Sequence, residues 1–201
     1  KNGWHVYCQK PMCHDVVEVR VLTELAAKKG VVTQLGTQYA SSIGDRMTAQ
    51  LLEENAIGKV SHVYLAENRP GAIERYRLLG PRPAKGEAPP PEMNWDLYLG
   101  TAPKRDFSPD LYHQTVWRSW QDFGTGWLGD IGCHIFSAAW RGLGLQAPKT
   151  IKARVQESWK NHPGRFRDTW PQTEHATWVF PGNKKTGMKD LTVEWFDGLW
   201  Y

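Results

Sequence analysis

The stretch "HVYCQKPMCHDVVEVRVLTELAAKKGVVTQLG", residues 5–36, decides the fold of the first part of the chain. The aromatic and β-branched run "WHVYC" (4–8) predicts a buried strand that ends in a loop at Lys10 and Pro11. "VVTQLG" (31–36) predicts a second strand, and the residues between the two strands predict a helix. A strand, a helix and a strand of these lengths make a βαβ unit, in which the strands are parallel and the crossover is right-handed.

The predicted helix carries start and stop signals. Asp15 can cap it, Glu18 follows three positions later as in a capping box, and Gly30 ends it. Apolar side chains that recur on one face predict a stripe, formed by Val16, Val19, Leu22 and Ala26. A second helix is predicted over 42–57, with three inward side chains, Met47, Leu51 and Leu52.

The pattern changes after residue 58. "KVSHVYLAE" (59–67) predicts an isolated strand, and alternating segments at 151–158, 174–180 and 190–196 predict an antiparallel sheet with one wet face. "GPRPAKGEAPPP" (80–91) predicts an extended, exposed arm that packs on another subunit or over the mouth of the site. The predicted fold class is α/β plus α+β. It comprises the tail of a parallel α/β domain over 1–58 and an α+β domain with antiparallel strands over 59–201.

The composition argues against two classes of protein. The 25 basic residues are scattered among 21 acidic ones without the basic stripe of a nucleic-acid binder. No apolar run reaches the length of a membrane span. We therefore expect neither nucleic acid nor a membrane as a partner.

Cysteine and tryptophan usage gives two further expectations. Cys8, Cys13 and Cys133 cannot all pair within one chain, which favours reduced thiols and a cytoplasmic location, with periplasmic export left open. The eleven tryptophans predict aromatic core packing, or flat apolar faces for sugar rings.

"GTGWLGDIGCH" (124–134) places Asp130 and His134 four positions apart behind a glycine-rich loop. On a helix these two residues are neighbours on one face. The surrounding glycines allow a close approach of the backbone to a ligand, and they are Gly124, Gly126, Gly129 and Gly132. Three interpretations stay open at this point: an acid/base couple, half of a metal site, or a capping aspartate beside a core histidine.

A metal site would need distant residues to converge on this region. The candidate ligands are Cys8, Cys13, His14, Asp130, Cys133 and His134. No CxxC or HxxxH pair anchors two of them locally, so we expect no metal.

Lys10 occupies the loop after the first strand, between Gln9 and Pro11. Ligands of open α/β sheets bind beyond the carboxyl ends of the strands, which makes this lysine a candidate binding residue. A solvated loop lysine is the structural alternative.

Four ordered blocks resemble the glucose-fructose oxidoreductase and inositol dehydrogenase family, also written Gfo/Idh/MocA. They are "HVYCQKPMCHDVVEVRVLTELAAKKGVVTQLGTQ", "NWDLYLGTAPKRDFSP", "WRSWQDFGTGWLGDIGCHIF" and "LTVEWFDG". The resemblance implies a Rossmann domain that binds NAD or NADP. It also implies an α+β domain whose open sheet supplies substrate contacts and oligomer interfaces.

The resemblance also implies roles for single residues. Lys10 matches the lysine of the family's Lys-Pro motif, which contacts cofactor and substrate, and Asp130 and His134 match its Asp-x-x-x-His pair, whose histidine is the usual acid/base. Gln9, Pro11 and Gln38 are expected beside the cofactor. Gln9 stands where glutamate is more frequent, and Ser137 stands where many relatives carry aspartate.

Further substrate contacts are chosen because polar and aromatic groups lie near the glycine loop or at a strand end. These candidates are Asn68, Arg69, Trp117 and Arg118.

The sequence therefore predicts a piece of an NAD(P)-dependent oxidoreductase that moves a hydride between a sugar or cyclitol hydroxyl and nicotinamide. No G-x-G-x-x-G follows a predicted strand, so we expect the 201 residues alone to bind dinucleotide weakly and to be inactive. The partners expected are a small sugar or polyol and further copies of the chain. The alternatives are an NAD-dependent glycosidase of the same family and a non-catalytic sugar-binding or assembly module.

Overall fold

The computed structural model describes residues 2–67 and 79–198. Six strands are described: β1 (Val6–Gln9), β2 (Thr33–Gly36), β3 (His62–Glu67), β4 (Thr150–Val155), β5 (Glu174–Pro181) and β6 (Asp190–Asp197). The α-helices are α1 (Val16–Lys29), α2 (Ile43–Glu53), α3 (Trp95–Leu99), α4 (Pro109–Tyr112), α5 (Gly126–Ile135), α6 (Ser137–Leu143), α7 (Glu157–Lys160) and α8 (Pro163–Asp168). Short 3-10 helices lie at Gln38–Ser41 and Val116–Ser119.

The predicted βαβ unit is confirmed. β1 and β2 pair in parallel, with Gln9 opposite Gly36 at their carboxyl ends. The Asp15 side chain accepts a hydrogen bond from the Glu18 N–H at 2.9 Å, so it caps α1 as predicted. Gly30 ends the helix with φ of 61°, a left-handed conformation that favours glycine.

The predicted burial of this unit is wrong. Val6 and Tyr7 of β1 are 49% and 63% exposed, and no residue of α1 is buried, so the apolar stripe faces outward in part. The physical reason is that a parallel sheet becomes buried only when both of its faces are covered. In the described residues α1 is the only helix between the two strands of this sheet.

The second helix is confirmed, but with a different inward face. Ala49 is buried and Leu52 half-buried against α6, whereas Met47 and Leu51 are 56% and 47% exposed. Gly142 of α6 lets the two helices approach, because a Cβ there would lie 2.7 Å from the Ala49 carbonyl oxygen. At Gly142 the backbones of α2 and α6 are therefore in close contact.

The second sheet has the strand order β3-β6-β5-β4, in which β5 is antiparallel to both β4 and β6. This confirms the mostly antiparallel sheet, although β3 pairs with β6 in parallel. One face packs against α5, where Trp127 and Ile131 meet Val193 and Trp195. The other face is the open one.

Tryptophan side chains supply much of the core. The most deeply buried are Trp120, Trp127, Trp159 and Trp195. A second apolar cluster joins Leu79, Tyr112, Val116 and Trp120. For these tryptophans the core-packing interpretation is therefore confirmed.

The proline-rich segment is irregular, but it is tied to its own chain. The Arg82 backbone N–H and guanidinium both donate to the Asp168 carboxylate, at 2.8 and 2.9 Å. Further on, the Glu87 N–H donates to the Phe107 carbonyl at 2.8 Å. The segment is therefore anchored at these positions and does not stand free as an arm.

None of the helices within residues 2–67 and 79–198 combines the length and apolar character needed to cross a membrane.

Gly142→Ala should destabilise the protein, because the new methyl group would force α2 and α6 apart. Overpacking of this kind costs about 1–3 kcal/mol, and each kcal/mol lowers the melting temperature by roughly 2–4 °C in a protein of this size. Gly44→Ala in α2 is the control, because a Cβ there meets nothing within 4 Å. Thermal unfolding of both variants gives the comparison, and equal melting temperatures would contradict this packing.

Candidate active site

Lys10 leaves the carboxyl end of β1 and reaches into the second part of the chain. Its Nζ donates to the Asp130 carboxylate Oδ1 at 2.5 Å and to the Asp130 carbonyl oxygen at 2.7 Å. The lysine side chain is 16% exposed and the aspartate side chain 5% exposed. A solvated loop lysine is therefore excluded, and residues 120 positions apart form one ion pair.

Asp130 receives a second cation from Arg118. The Arg118 Nε donates to Oδ2 of Asp130 at 2.8 Å, so each carboxylate oxygen has its own cationic donor. The Arg118 guanidinium also lies 4.4 Å from the Trp117 ring centroid. Burial of a carboxylate is costly unless it is paired and hydrogen-bonded, and both conditions are met here.

The capping interpretation of Asp130 is wrong. The residue at the N-cap of α5 is Thr125, and Asp130 lies inside the helix. The Leu128 N–H in the first turn instead donates to the Glu174 carboxyl at 3.2 Å. Asp130 is thus available to pair with Lys10 and Arg118.

His134 lies one helical turn after Asp130 and is 4% exposed. The Tyr39 ring, from the 3-10 helix that follows β2, covers it with ring centroids 4.6 Å apart. The imidazole therefore lies where the first part of the chain meets α5.

"GTGWLG" (124–129) has the spacing of a dinucleotide-binding turn, but its surroundings differ. It does not follow a strand. It follows a turn in which the Gly124 N–H donates a hydrogen bond to the Trp120 carbonyl oxygen. Its glycines serve close packing, since a Cβ at Gly124 would lie 2.7 Å from the Arg118 backbone. The helix N-terminus faces a carboxyl group, which is unfavourable for a phosphate.

A cavity of about 420 Å³ is lined by Pro11 and Trp117, the sequence neighbours of Lys10 and Arg118. Its lining comes from the loop after Lys10 and from the segment around Arg118, and comprises Pro11, Met12, Cys13, His14, Glu18, Thr101, Trp117 and Phe123. A larger cavity of about 690 Å³ touches a different set of α5 residues, Leu128, Gly132 and Cys133, and is lined mainly by apolar side chains.

The predicted site residues fall into three groups. Lys10, Asp130 and His134 come together, with Gln9 and Pro11 flanking the lysine. Gln38 is exposed and begins the 3-10 helix after β2, at the same sheet edge as Lys10. Asn68 and Arg69 lie outside the described residues.

Two predicted substrate contacts have their own partners in the chain. Trp117 lines the smaller cavity and stacks with Arg118, whose main contact is Asp130. Sequence reasoning missed Tyr39, although its place after β2 is a signal for a ligand-facing position. It also missed Glu174, for which the sequence carries no local signal.

The three cysteines are free thiols. Burial raises the pKa of the Cys133 thiol, and nearby Lys10 opposes that change. In the described part of the chain, no three His, Cys, Asp or Glu side chains gather in an arrangement that would hold a metal ion.

Residues 41–200 match a protein family described as "Oxidoreductase family, C-terminal alpha/beta domain". No curated protein matches the chain. Among solved structures it is similar to an oxidoreductase domain protein from Kribbella flavida, with a TM-score of 0.58 at 20% identity. It is also similar to an oxidoreductase from Sinorhizobium meliloti, with a TM-score of 0.56 at 15% identity. A third is the aldose-aldose oxidoreductase from Caulobacter crescentus complexed with glycerol, with a TM-score of 0.55 at 17% identity.

Each of these alignments covers 96% of this chain, and 41%, 38% and 43% respectively of the other protein. The chain thus spans about two fifths of the length of these proteins. At such low identities the likeness shows a shared fold.

Arg118→Met should remove one of the two cations that pair with the buried Asp130 carboxylate and leave Lys10 in place. Losing a charged hydrogen bond of this kind costs about 1.5–3 kcal/mol, less some screening because the Arg118 side chain is 23% exposed. Lys104→Met is the control, since its ion pair with Asp96 is exposed and should contribute under about 1 kcal/mol. Denaturant unfolding measures both losses, and equal values would show that Arg118 does not stabilise the buried carboxylate.

Proposed function

Because the chain belongs to the Gfo/Idh/MocA family of oxidoreductases, we propose that the full-length protein is an NAD(P)-dependent oxidoreductase. It transfers a hydride between an alcohol carbon of a sugar or cyclitol and the nicotinamide. The observation that carries this proposal is the convergence of Lys10, Asp130 and His134 at the carboxyl edge of the β1–β2 sheet.

The residues present fit the reacting end of such a cofactor. The carboxyl ends of β1 and β2 are in register, which brings Lys10 and Gln38 to the edge where open α/β sheets bind ligands. The loop after Lys10 lines the smaller cavity. Gln9, Lys10, Pro11 and Gln38 would hold the nicotinamide end. A bound nicotinamide would supply the hydride acceptor. The pyrophosphate would need other residues, because the helix start in "GTGWLG" faces Glu174.

His134 is the acid/base in this proposal. It takes the proton from the substrate hydroxyl in the oxidation direction and returns it in the reverse direction. Its burial under Tyr39 shields the imidazole from bulk water. Asp130 lies one turn earlier and places its carboxylate on the same face of α5.

Lys10 positions and polarises the substrate oxygen. An ammonium group has three N–H donors, and two of them are used on the Asp130 carbonyl and carboxylate. The third donor is available for the reacting oxygen. Arg118 helps to hold Asp130, so the lysine is positioned before substrate arrives.

His134→Gln should lower kcat of the full-length enzyme by roughly 10²- to 10⁴-fold, the usual contribution of general acid/base catalysis. The control is His113→Gln at an exposed histidine, which should keep wild-type turnover. Steady-state kinetics and thermal unfolding are measured for both variants. Normal turnover per folded molecule in His134→Gln would mean that the histidine is a core residue.

Product analysis tests the reaction class. Net formation of NADH or NADPH from a sugar or cyclitol supports the proposal, whereas cleavage of a glycoside without net reduced cofactor would identify an NAD-dependent glycosidase. Absence of both activities would favour a sugar-binding or assembly module.

The 201-residue chain should show no saturable binding of NAD or NADP at micromolar concentration, because its residues fit only the nicotinamide end. Titration calorimetry checks this expectation. A low-micromolar dissociation constant for this chain would contradict it.

A further inference from the structure

A half-buried carboxyl group and a fully buried one lie side by side at the end of the second sheet. Glu174 begins β5 and Asp197 ends β6, and Asp197 is 1% exposed. Asp197 accepts hydrogen bonds from the Glu174 N–H and from the Trp195 indole N–H, both at 2.7 Å. Within residues 2–67 and 79–198, neither carboxyl group forms a salt bridge.

Such a pair cannot carry two full charges at low cost. Burial, together with the neighbouring Asp197 carboxylate, raises the pKa of Glu174 to about 8. Burial also raises the pKa of Asp197 to about 6, against the hydrogen bonds from Trp195 and Glu174. The two groups titrate as one unit that retains a proton at neutral pH.

Glu174 also holds the start of α5. Its Oε1 accepts the Leu128 N–H at 3.2 Å, a first-turn donor that has no partner within the helix. The side chain of Thr125, the N-cap residue, makes no capping hydrogen bond. The helix that presents Asp130 and His134 is therefore capped by a side chain 46 positions away.

We propose that Glu174 is a neutral carboxylic acid that positions Asp130 and His134, with its proton bonded to the Asp197 carboxylate and its other oxygen capping α5. The effect of Glu174 on catalysis rests on the proposed function. The protonation of Glu174 and its capping of α5 do not depend on that function.

In the described part of the chain, the groups that face the pair are the following, and none of them is a cation. From β6 come Asp197 and the Trp195 indole, and from α5 the Leu128 N–H. On β3, Glu67 lies opposite Asp197 in the strand register. On β4 the neighbour of Glu174 is Val155, which is uncharged.

The sign of the pH effect follows from the raised pKa. Folded Glu174 binds its proton more tightly than the unfolded chain does, so its stabilising contribution is complete below pH 4.5 and is lost as pH rises to about 8. Above that pH both carboxyl groups are ionised. Their mutual repulsion then disturbs the position of the Glu174 carboxylate that caps α5.

Two substitutions in the full-length protein, Glu174→Gln and Glu174→Ala, distinguish capping of α5 by a neutral side chain from simple packing. Glutamine reproduces the neutral acid, because its oxygen can accept the Leu128 N–H and its amide can donate to Asp197. We expect Glu174→Gln to keep kcat within about threefold at pH 7 and to lose the alkaline decline. Glu174→Ala should lower kcat by tenfold or more, up to about 10²-fold, with KM changed less than about twofold, because misplaced catalytic groups mainly affect turnover.

Two readouts do not need activity. The unfolding midpoint of the wild type should fall relative to that of Glu174→Gln between pH 5 and 8, whereas Glu157→Gln, at an exposed glutamate, should follow the wild type. Infrared difference spectra at pH 7 should show a protonated-carboxyl C=O band that Glu174→Gln lacks. If the wild type has no oxidoreductase activity, the proposed function fails while these readouts still decide the neutral acid.

Three results would overturn the inference. One is a failed test of the neutral acid, seen either as the same pH dependence of stability in Glu174→Gln and the wild type or as no protonated-carboxyl band in the wild type. Another is a Glu174→Gln variant as impaired in turnover as Glu174→Ala. The third is normal turnover per folded molecule in Glu174→Ala.

Discussion

The ion pair between Lys10 and Asp130 is the contact on which the site depends. It joins the exit of β1 to the middle of α5 across 120 positions of sequence, and both side chains are largely buried. A buried ion pair contributes little net stability, but loss of one partner is expensive because an uncompensated charge remains. The pair therefore constrains how the loop after β1 approaches α5.

The neighbouring structure keeps that approach in place. Arg118 takes the second oxygen of Asp130, and Gly124 lets the Arg118 backbone pass close to the glycine loop. On the other side of the same junction, Asp45 of α2 contacts both Ser137 and Arg141 of α6. Ser137 of α6 thus donates a hydrogen bond to an aspartate supplied by another helix.

Local signals in the sequence were enough for much of this arrangement. The caps of α1 and the helical spacing of Asp130 and His134 depend on neighbours within a few positions. The parallel pairing of β1 and β2 joins residues 27 positions apart, but it follows from the strand-helix-strand pattern. Burial could not be predicted in the same way, because exposure of Met47 depends on which face α6 covers. Nor could the pairing of Arg118, predicted only as a substrate contact, or the role of Glu174 be assigned, since each bonds to a partner 12 or more positions away that no local pattern specifies.

A double-mutant cycle on Lys10 and Asp130 in the full-length enzyme tests the central claim most directly. The measurement is kcat/KM for Lys10→Met, Asp130→Asn and the double variant, with folded fractions checked by circular dichroism. If the two side chains act as one unit, the double variant should be little worse than the poorer single variant, with a coupling energy of about 1.5–3 kcal/mol. Losses that simply add would contradict the account, because the two groups would then contribute independently.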